Sequence, residues 1–259
     1  MLEMGQADNK GRPCTQPVRR IGPGTVQTTL RRLSCRHHTR RYLAKPRKAC
    51  ATEPTRWAHD MIEFFFDCSS PWTYLAFHNI QPMAAELQET VVWRPILVGG
   101  VFNSINPSVY ASRDNPIPAK QNYLVKDIQD WAGVANLKIV MPPRIFPVNS
   151  VKAMRGCVWL ASPEKMLPFA RAVFEAYWAR EEDISDDAAL AHICERCGID
   201  AAAFQRGINQ PEVKHQLKAN TDELIRRGGF GSPTMFVGDD MYFGNDRLSL
   251  VRSAVLRGR

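Results

Sequence analysis

The sequence contains no apolar run near the ~20 residues that a bilayer-spanning helix needs. Its longest apolar stretches, residues 62–66 and the interrupted run 167–179, have the length of core elements. No secretory leader with an apolar centre opens the chain, and its seven cysteines follow no framework spacing. A disulfide scaffold is therefore excluded, and a reducing, cytoplasmic setting is expected. No Gly-rich phosphate loop or dinucleotide fingerprint occurs. His78, His192 and His215 stand singly, without a companion at ligand spacing, so no metal site is expected. Basic charge is scarce outside the start of the chain. Residues 1–60 hold 13 basic and 4 acidic side chains, whereas the other 199 residues hold 21 and 22. The net charge of +8 thus belongs to the first 60 residues and gives no reason to expect nucleic acid on the remainder.

A composition of 44% apolar and 23% charged residues is that of a globular protein. Residues 1–60 depart from it, being Arg-rich, broken by Pro and Gly and without apolar periodicity. They read as a disordered basic extension, with organelle targeting or a nucleic-acid arm as the competing readings. Met61, at the point where a shorter product would begin, opens a different text. Ile62-Glu63-Phe64-Phe65-Phe66 predicts a buried strand, Asp67-Cys68-Ser69-Ser70-Pro71 a turn, residues 72–87 a helix and residues 91–95 a second strand, parallel to the first by the crossover rule. Residues 120–227 carry helix-period segments such as 151–160 and 168–179 and no comparable strand. A hairpin across Gly238-Asp239-Asp240 and a helix over 245–256 finish the chain. The expected fold is α/β, a thioredoxin-like domain (61–119 and 228–259) interrupted by an all-helical insertion (120–227).

Redox proteins of that plan place Cys-x-x-Cys at the first strand-to-helix turn; here the turn reads Ser70-Pro71-Trp72-Thr73. Ser70 occupies an N-cap position and Pro71 the first helical position, so the helix's unpaired amides face whatever binds at Ser70. A plain cap is the simpler reading of this turn alone. The other candidates favour structural roles: Cys194-Glu195-Arg196-Cys197 lies deep in the helical block, away from any thiol-activating turn, and Cys68 reads as a small side chain closing a strand.

Phe66-Asp67 with Ser70-Pro71-Trp72-Thr73-Tyr74-Leu75-Ala76 resembles the signature of the glutathione-dependent thioredoxin-like proteins, the kappa-class glutathione transferases and the 2-hydroxychromene-2-carboxylate isomerases. Further matches follow in order: Lys120 with Tyr123, Asp127 and Trp131-Ala132; Phe146-Pro147-Val148-Asn149-Ser150; Gly231-Ser232-Pro233-Thr234-Met235-Phe236; and Gly244-Asn245-Asp246-Arg247-Leu248. The last two, with the Trp131 segment, are more similar to the isomerases. The resemblance implies glutathione as a recycled cofactor whose thiolate adds to the conjugated carbon of a ring-opened aromatic acid, permits bond rotation and departs. Ser70 is the implied catalytic residue. Ser70, Pro71, Trp72, Ser232, Pro233 (expected cis), Gly244, Asn245 and Asp246 are the implied glutathione contacts. Trp72, Asn103 and Lys120 are the expected substrate contacts, although Asn103 stands where the isomerase pattern would have lysine. The expected partners are a small aromatic substrate and at most a second copy of the chain, with neither nucleic acid nor membrane. A transferase outcome, or a thiol-disulfide oxidoreductase or non-catalytic module of the same fold, are the alternatives.

Overall fold

The computed structural model describes residues 61–258, so the reading made for residues 1–60 lies outside the described residues. Strand β1 (Met61–Phe66) runs into α1 (Pro71–Leu87), which returns the chain to β2 (Thr90–Pro95). β1 and β2 pair in parallel, Phe64 opposite Trp93, as a right-handed crossover requires. β1 also pairs antiparallel with β3 (Thr234–Val237), which continues into β4 (Asp240–Phe243), giving the sheet order β2-β1-β3-β4. β1 is apolar at nearly every position because both its faces are covered. Ile62, Phe64 and Phe66 enter the main core with Leu75, Phe77 and Ile80 of α1, whereas Phe65 packs on the opposite side with Ile96, Val101, Leu224 and Phe236. Glu63, on the same side as Phe65, bonds the guanidinium groups of Arg94 and Arg227, and Arg227 lies 3.6 Å from the centre of the Phe236 ring.

Between β2 and β3 the described chain is helical: α2 (Val98–Ile105), α3 (Ser108–Asp114), α4 (Pro118–Val134), α5 (Val151–Leu160), α6 (Pro163–Phe174), α7 (Asp187–Arg196), α8 (Ala201–Gly207) and α9 (Pro211–Arg226). α6 starts five residues before the position read from Pro168 and passes into a π-turn, Glu175–Ala179. Pro168 is tolerated inside α6 because it and Glu164, whose carbonyl loses its usual partner, are both exposed to water. Gly156 of α5 lets the Phe204 and Phe169 rings close over the helix: a Cβ there would stand 2.5 Å from Phe204. After the hairpin, a 3-10 turn (Asn245–Arg247) leads into α10 (Leu248–Gly258), so the closing helix begins later than the sequence suggests. Among the described residues, no helix is long and apolar enough to cross a membrane.

Candidate active site

Everything at the end of β1 is arranged around a buried carboxylate. Asp67 accepts hydrogen bonds from the Ser69 amide (2.9 Å) and hydroxyl (2.9 Å) on one oxygen and from the Val98 amide (2.8 Å) on the other. These bonds fix the turn that presents Ser70 and hold the start of α2 against it. Burial nonetheless pushes the Asp67 carboxyl above its ordinary range, only partly offset by those donors. Cys68 is also sealed in. Its carbonyl accepts from the Trp178 indole (2.9 Å), and burial beside Cys157 drives its thiol well above the ordinary value, which fits the small packing role read from the sequence.

Ser70 caps α1. Its Oγ accepts from the Thr73 amide (3.3 Å) and donates to the carbonyl of Ser232 (3.0 Å). The Ser232-Pro233 bond is cis, as expected, and the Ser232 hydroxyl bonds both the Asp67 amide (3.0 Å) and the Thr73 hydroxyl (2.8 Å). The two loops are therefore clamped together by three side chains, all with oxygen chemistry. The 17-residue α1 carries no acidic side chain in its first turn, so nothing on the helix itself neutralises its positive end.

Beside this clamp lies a cleft of about 300 Å³ lined by Trp72, Asp127, Trp131, Pro233, Phe243, Gly244, Asn245, Asp246 and Arg247. Five of the residues expected from the sequence, Trp72, Pro233, Gly244, Asn245 and Asp246, thus meet in one place. Ser70, Pro71 and Ser232 adjoin it through the clamp. Gly244 has φ +104, a left-handed conformation that demands glycine, and a Cβ there would also stand 2.7 Å from the Asp246 carboxylate, which would have to swing aside. Its amide bonds the Pro233 carbonyl (3.1 Å), tying the two loops. The Asn245 side chain is buried and accepts from Asn79 (3.3 Å), yet its own Nδ2 has no partner. Asp246 is paired with the Arg247 guanidinium.

Asn103 and Lys120 do not line this cleft. Asn103 is exposed on α2, accepting from the Tyr110 hydroxyl (2.7 Å). Lys120 is exposed in the first turn of α4, on the same face as Asp127 and Trp131 but two turns earlier, about 10 Å along the axis. Asp127, Trp131, Phe243 and Arg247 were not singled out as contacts from the sequence. The i, i+4 spacing of Asp127 and Trp131 marks a shared helix face, and nothing in the sequence says what that face meets. The Cys194 and Cys197 thiols are raised by burial, Cys194 to about 12, the opposite of what a redox pair needs. Among the described residues, no group of three or more His, Cys, Asp or Glu side chains is placed to hold a metal.

The clamp, the cis-proline loop and the interrupted sheet define a thioredoxin-like protein, and the DSBA-like thioredoxin domain family matches over residues 61–256. A 2-hydroxychromene-2-carboxylate isomerase of Pseudomonas putida is 30% identical over 199 residues, covering 76% of this chain and 95% of that protein. The human glutathione S-transferase kappa 1 is 28% identical over 206 residues, covering 73% and 88%. A solved structure of a 2-hydroxychromene-2-carboxylate isomerase superposes with a TM-score of 0.65 at 28% identity, covering 76% of this chain and 95% of its own. The chain belongs to the DSBA-like thioredoxin domain family and, within it, to the family of 2-hydroxychromene-2-carboxylate isomerases, which places it among enzymes rather than binding modules.

Proposed function

We propose that the protein converts 2-hydroxychromene-2-carboxylate, or a related intermediate of aromatic degradation, to trans-o-hydroxybenzylidenepyruvate with glutathione as a recycled cofactor. The observation that carries this reading is the oxygen-only clamp at the start of α1. With Ser70 and Thr73 in place of the cysteine pair, the turn can stabilise a thiolate but cannot supply one. Glutathione bound there supplies a thiolate that adds reversibly to the conjugated carbon, leaving a single bond about which the substrate can rotate.

Three features of the chain suit that cofactor. The acid-free end of α1 favours an anion, and the Ser70 hydroxyl can turn from the Ser232 carbonyl to donate to it. Ser232, clamped at the cis bond, offers its backbone to an extended peptide as an added strand would. The unpartnered Asn245 Nδ2 is a buried donor without an acceptor, a costly arrangement unless a ligand provides one. Beside it, the Asp246 carboxylate and Arg247 guanidinium match the ammonium and carboxylate of the γ-glutamyl end.

The kappa-class relative supports a second reading, transfer of the thiolate to an acceptor with release of the conjugate. One experiment separates the two: chromene absorbance and free thiol are followed together after glutathione is added. Loss of chromene at constant thiol is the expected result, loss of both supports the transferase, and a stable chromene signal overturns the isomerase reading.

A further inference from the structure

A second cavity, of about 490 Å³ and so larger than the cleft, lies where α6 meets the end of α7, and the two share no lining residue. The helix period sorts its walls. Leu167, Arg171 and Glu175 stand four apart, as do Pro168 and Ala172, so one face of α6 changes from apolar to charged as it runs towards the π-turn. Arg196 and Cys197, closing α7, complete the lining.

Both guanidinium groups in this cavity have donors to spare. Arg171 donates once, to the Gln81 side chain (3.0 Å), and among the described residues no carboxylate pairs with it. Gln81 in turn donates to the Phe77 carbonyl (2.7 Å), so Arg171 is anchored to α1 and held in place rather than waving in solvent. Arg196 meets Glu175 only at 3.9 Å, too long for a hydrogen bond, and Arg180 stands 3.8 Å from the same carboxylate. Each guanidinium offers five N–H groups, most of them uncommitted here. With Glu175 set against Arg171 and Arg196, the lining keeps one positive charge in excess.

We infer that this cavity is a second ligand site, which takes a small amphipathic carboxylate, its charged end between Arg171 and Arg196 and its apolar body along Leu167, Pro168 and Ala172. A planar guanidinium receives a carboxylate through parallel N–H bonds, and the recess has the volume of an ordinary small-molecule site. A neutral amide of the same shape keeps the apolar contact and forfeits the charged one. An occupant also covers Cys197, whose thiol shares the wall, so the site carries its own reporter. Because it has no wall in common with the cleft, the inference stands apart from the reaction proposed above.

The test follows alkylation of Cys197 by iodoacetamide in the full chain, by peptide mapping, with hexanoate or hexanamide added and glutathione present throughout to fill the cleft. Hexanoate is expected to slow alkylation severalfold, with half-protection near about 1 mM, and hexanamide to leave the rate unchanged. Arg171→Met lies on the other helix from the reporter and is expected to raise the half-protecting concentration about tenfold. Leu167→Asp, which puts a like charge at the apolar end, is expected to abolish protection, with urea denaturation confirming that both variants fold. Equal protection by the two probes would reduce the cavity to an apolar recess and overturn the inference. Absence of protection at about 10 mM, or full protection retained in Arg171→Met, would overturn it as well. Protection that appears without any acid and grows with protein concentration would assign the face to a second copy of the chain instead.

Discussion

Replacing Ser70 by alanine removes two bonds whose worth can be set against the chemistry proposed for them. The cap bond to the Thr73 amide is long at 3.3 Å, so its loss falls in the lower half of the usual range for a cap, about 0.5 to 1 kcal/mol. The bond to the Ser232 carbonyl at 3.0 Å, only part-buried, is worth about 1 kcal/mol. Stability should therefore fall by about 1 to 2 kcal/mol. A domain with an ordinary margin of at least about 5 kcal/mol stays more than about 99% folded after that loss. Unfolding cannot then account for any large drop in rate. If the hydroxyl donates to a thiolate, deleting it should slow turnover by about 10² to 10³, the usual cost of one donor aimed at an anion.

The two effects are read separately, by urea denaturation and by initial rate at saturating glutathione. Loss of stability with turnover within a factor of about three of wild type would show that the α1 amides hold the anion unaided and that Ser70 is only a cap. Ser70→Cys is the companion variant. It restores a thiol with no resolving thiol at Thr73, so it should form a mixed disulfide with oxidised glutathione and lose activity until reduced. Normal isomerisation by this variant without glutathione would refute the claim that the attacking sulfur comes from the cofactor.

Asn245→Ala should raise the KM for glutathione about tenfold with kcat little changed, since it deletes a buried donor at the cleft that has no partner within the described chain; an unchanged KM counts against that role. Gly156→Ala gains up to about 1 kcal/mol of helix propensity but drives a Cβ into Phe204 and Phe169, and should show a net loss of about 1 to 2 kcal/mol by urea denaturation; a stabilised variant would mean the rings move aside freely. At pH 8, iodoacetamide should modify half-buried Cys197 well before Cys68 and Cys194, because burial pushes up all three thiols but leaves only that of Cys197 partly exposed, as peptide mapping can establish; equal rates would contradict that burial. Because burial raises the Asp67 carboxyl, its favourable contribution is present below its ordinary value of 3.8 and is lost as pH rises through the folded value. Wild type should therefore gain stability relative to Asp67→Asn as pH falls from 7 to 4, and a difference that stays flat or runs the other way would refute it.

What the sequence shows plainly is what short-range physics decides. The Ser70-Pro71 cap and the doubly buried run 62–66 specify the turn and the central strand, and the Gly238-Asp239 turn specifies the hairpin. The start of α6 is harder to read because two prolines compete for it. Ser162-Pro163 is the true entry, while Pro168 imitates one from inside the helix. The π-turn after Phe174 has no period to betray it. Of the cleft, the residues in Gly- and Pro-bearing loops were legible because their backbone requirements are unusual. Asp127 and Trp131 were not, since ordinary helix positions become walls only when α4 crosses near α1.

The oxygen-for-sulfur exchange at the first turn has a consequence for the rest of the cleft. A helix N-terminus stabilises a thiolate whichever molecule carries the sulfur. When the protein carries it, the turn is nearly sufficient by itself, because the nucleophile is already positioned by the backbone. When a ligand carries it, the sulfur must be brought to the turn and held there, so the binding energy must come from groups remote from the reacting atom. The features beside the clamp are of that kind: a buried amide donor without an acceptor at Asn245, and an ion pair at Asp246 and Arg247 suited to a zwitterion. A self-contained redox turn has no use for them. On the proposed reading they are what the chain needs once Ser70 and Thr73 have replaced the two thiols, holding the cofactor by its γ-glutamyl end so that its sulfur reaches the turn.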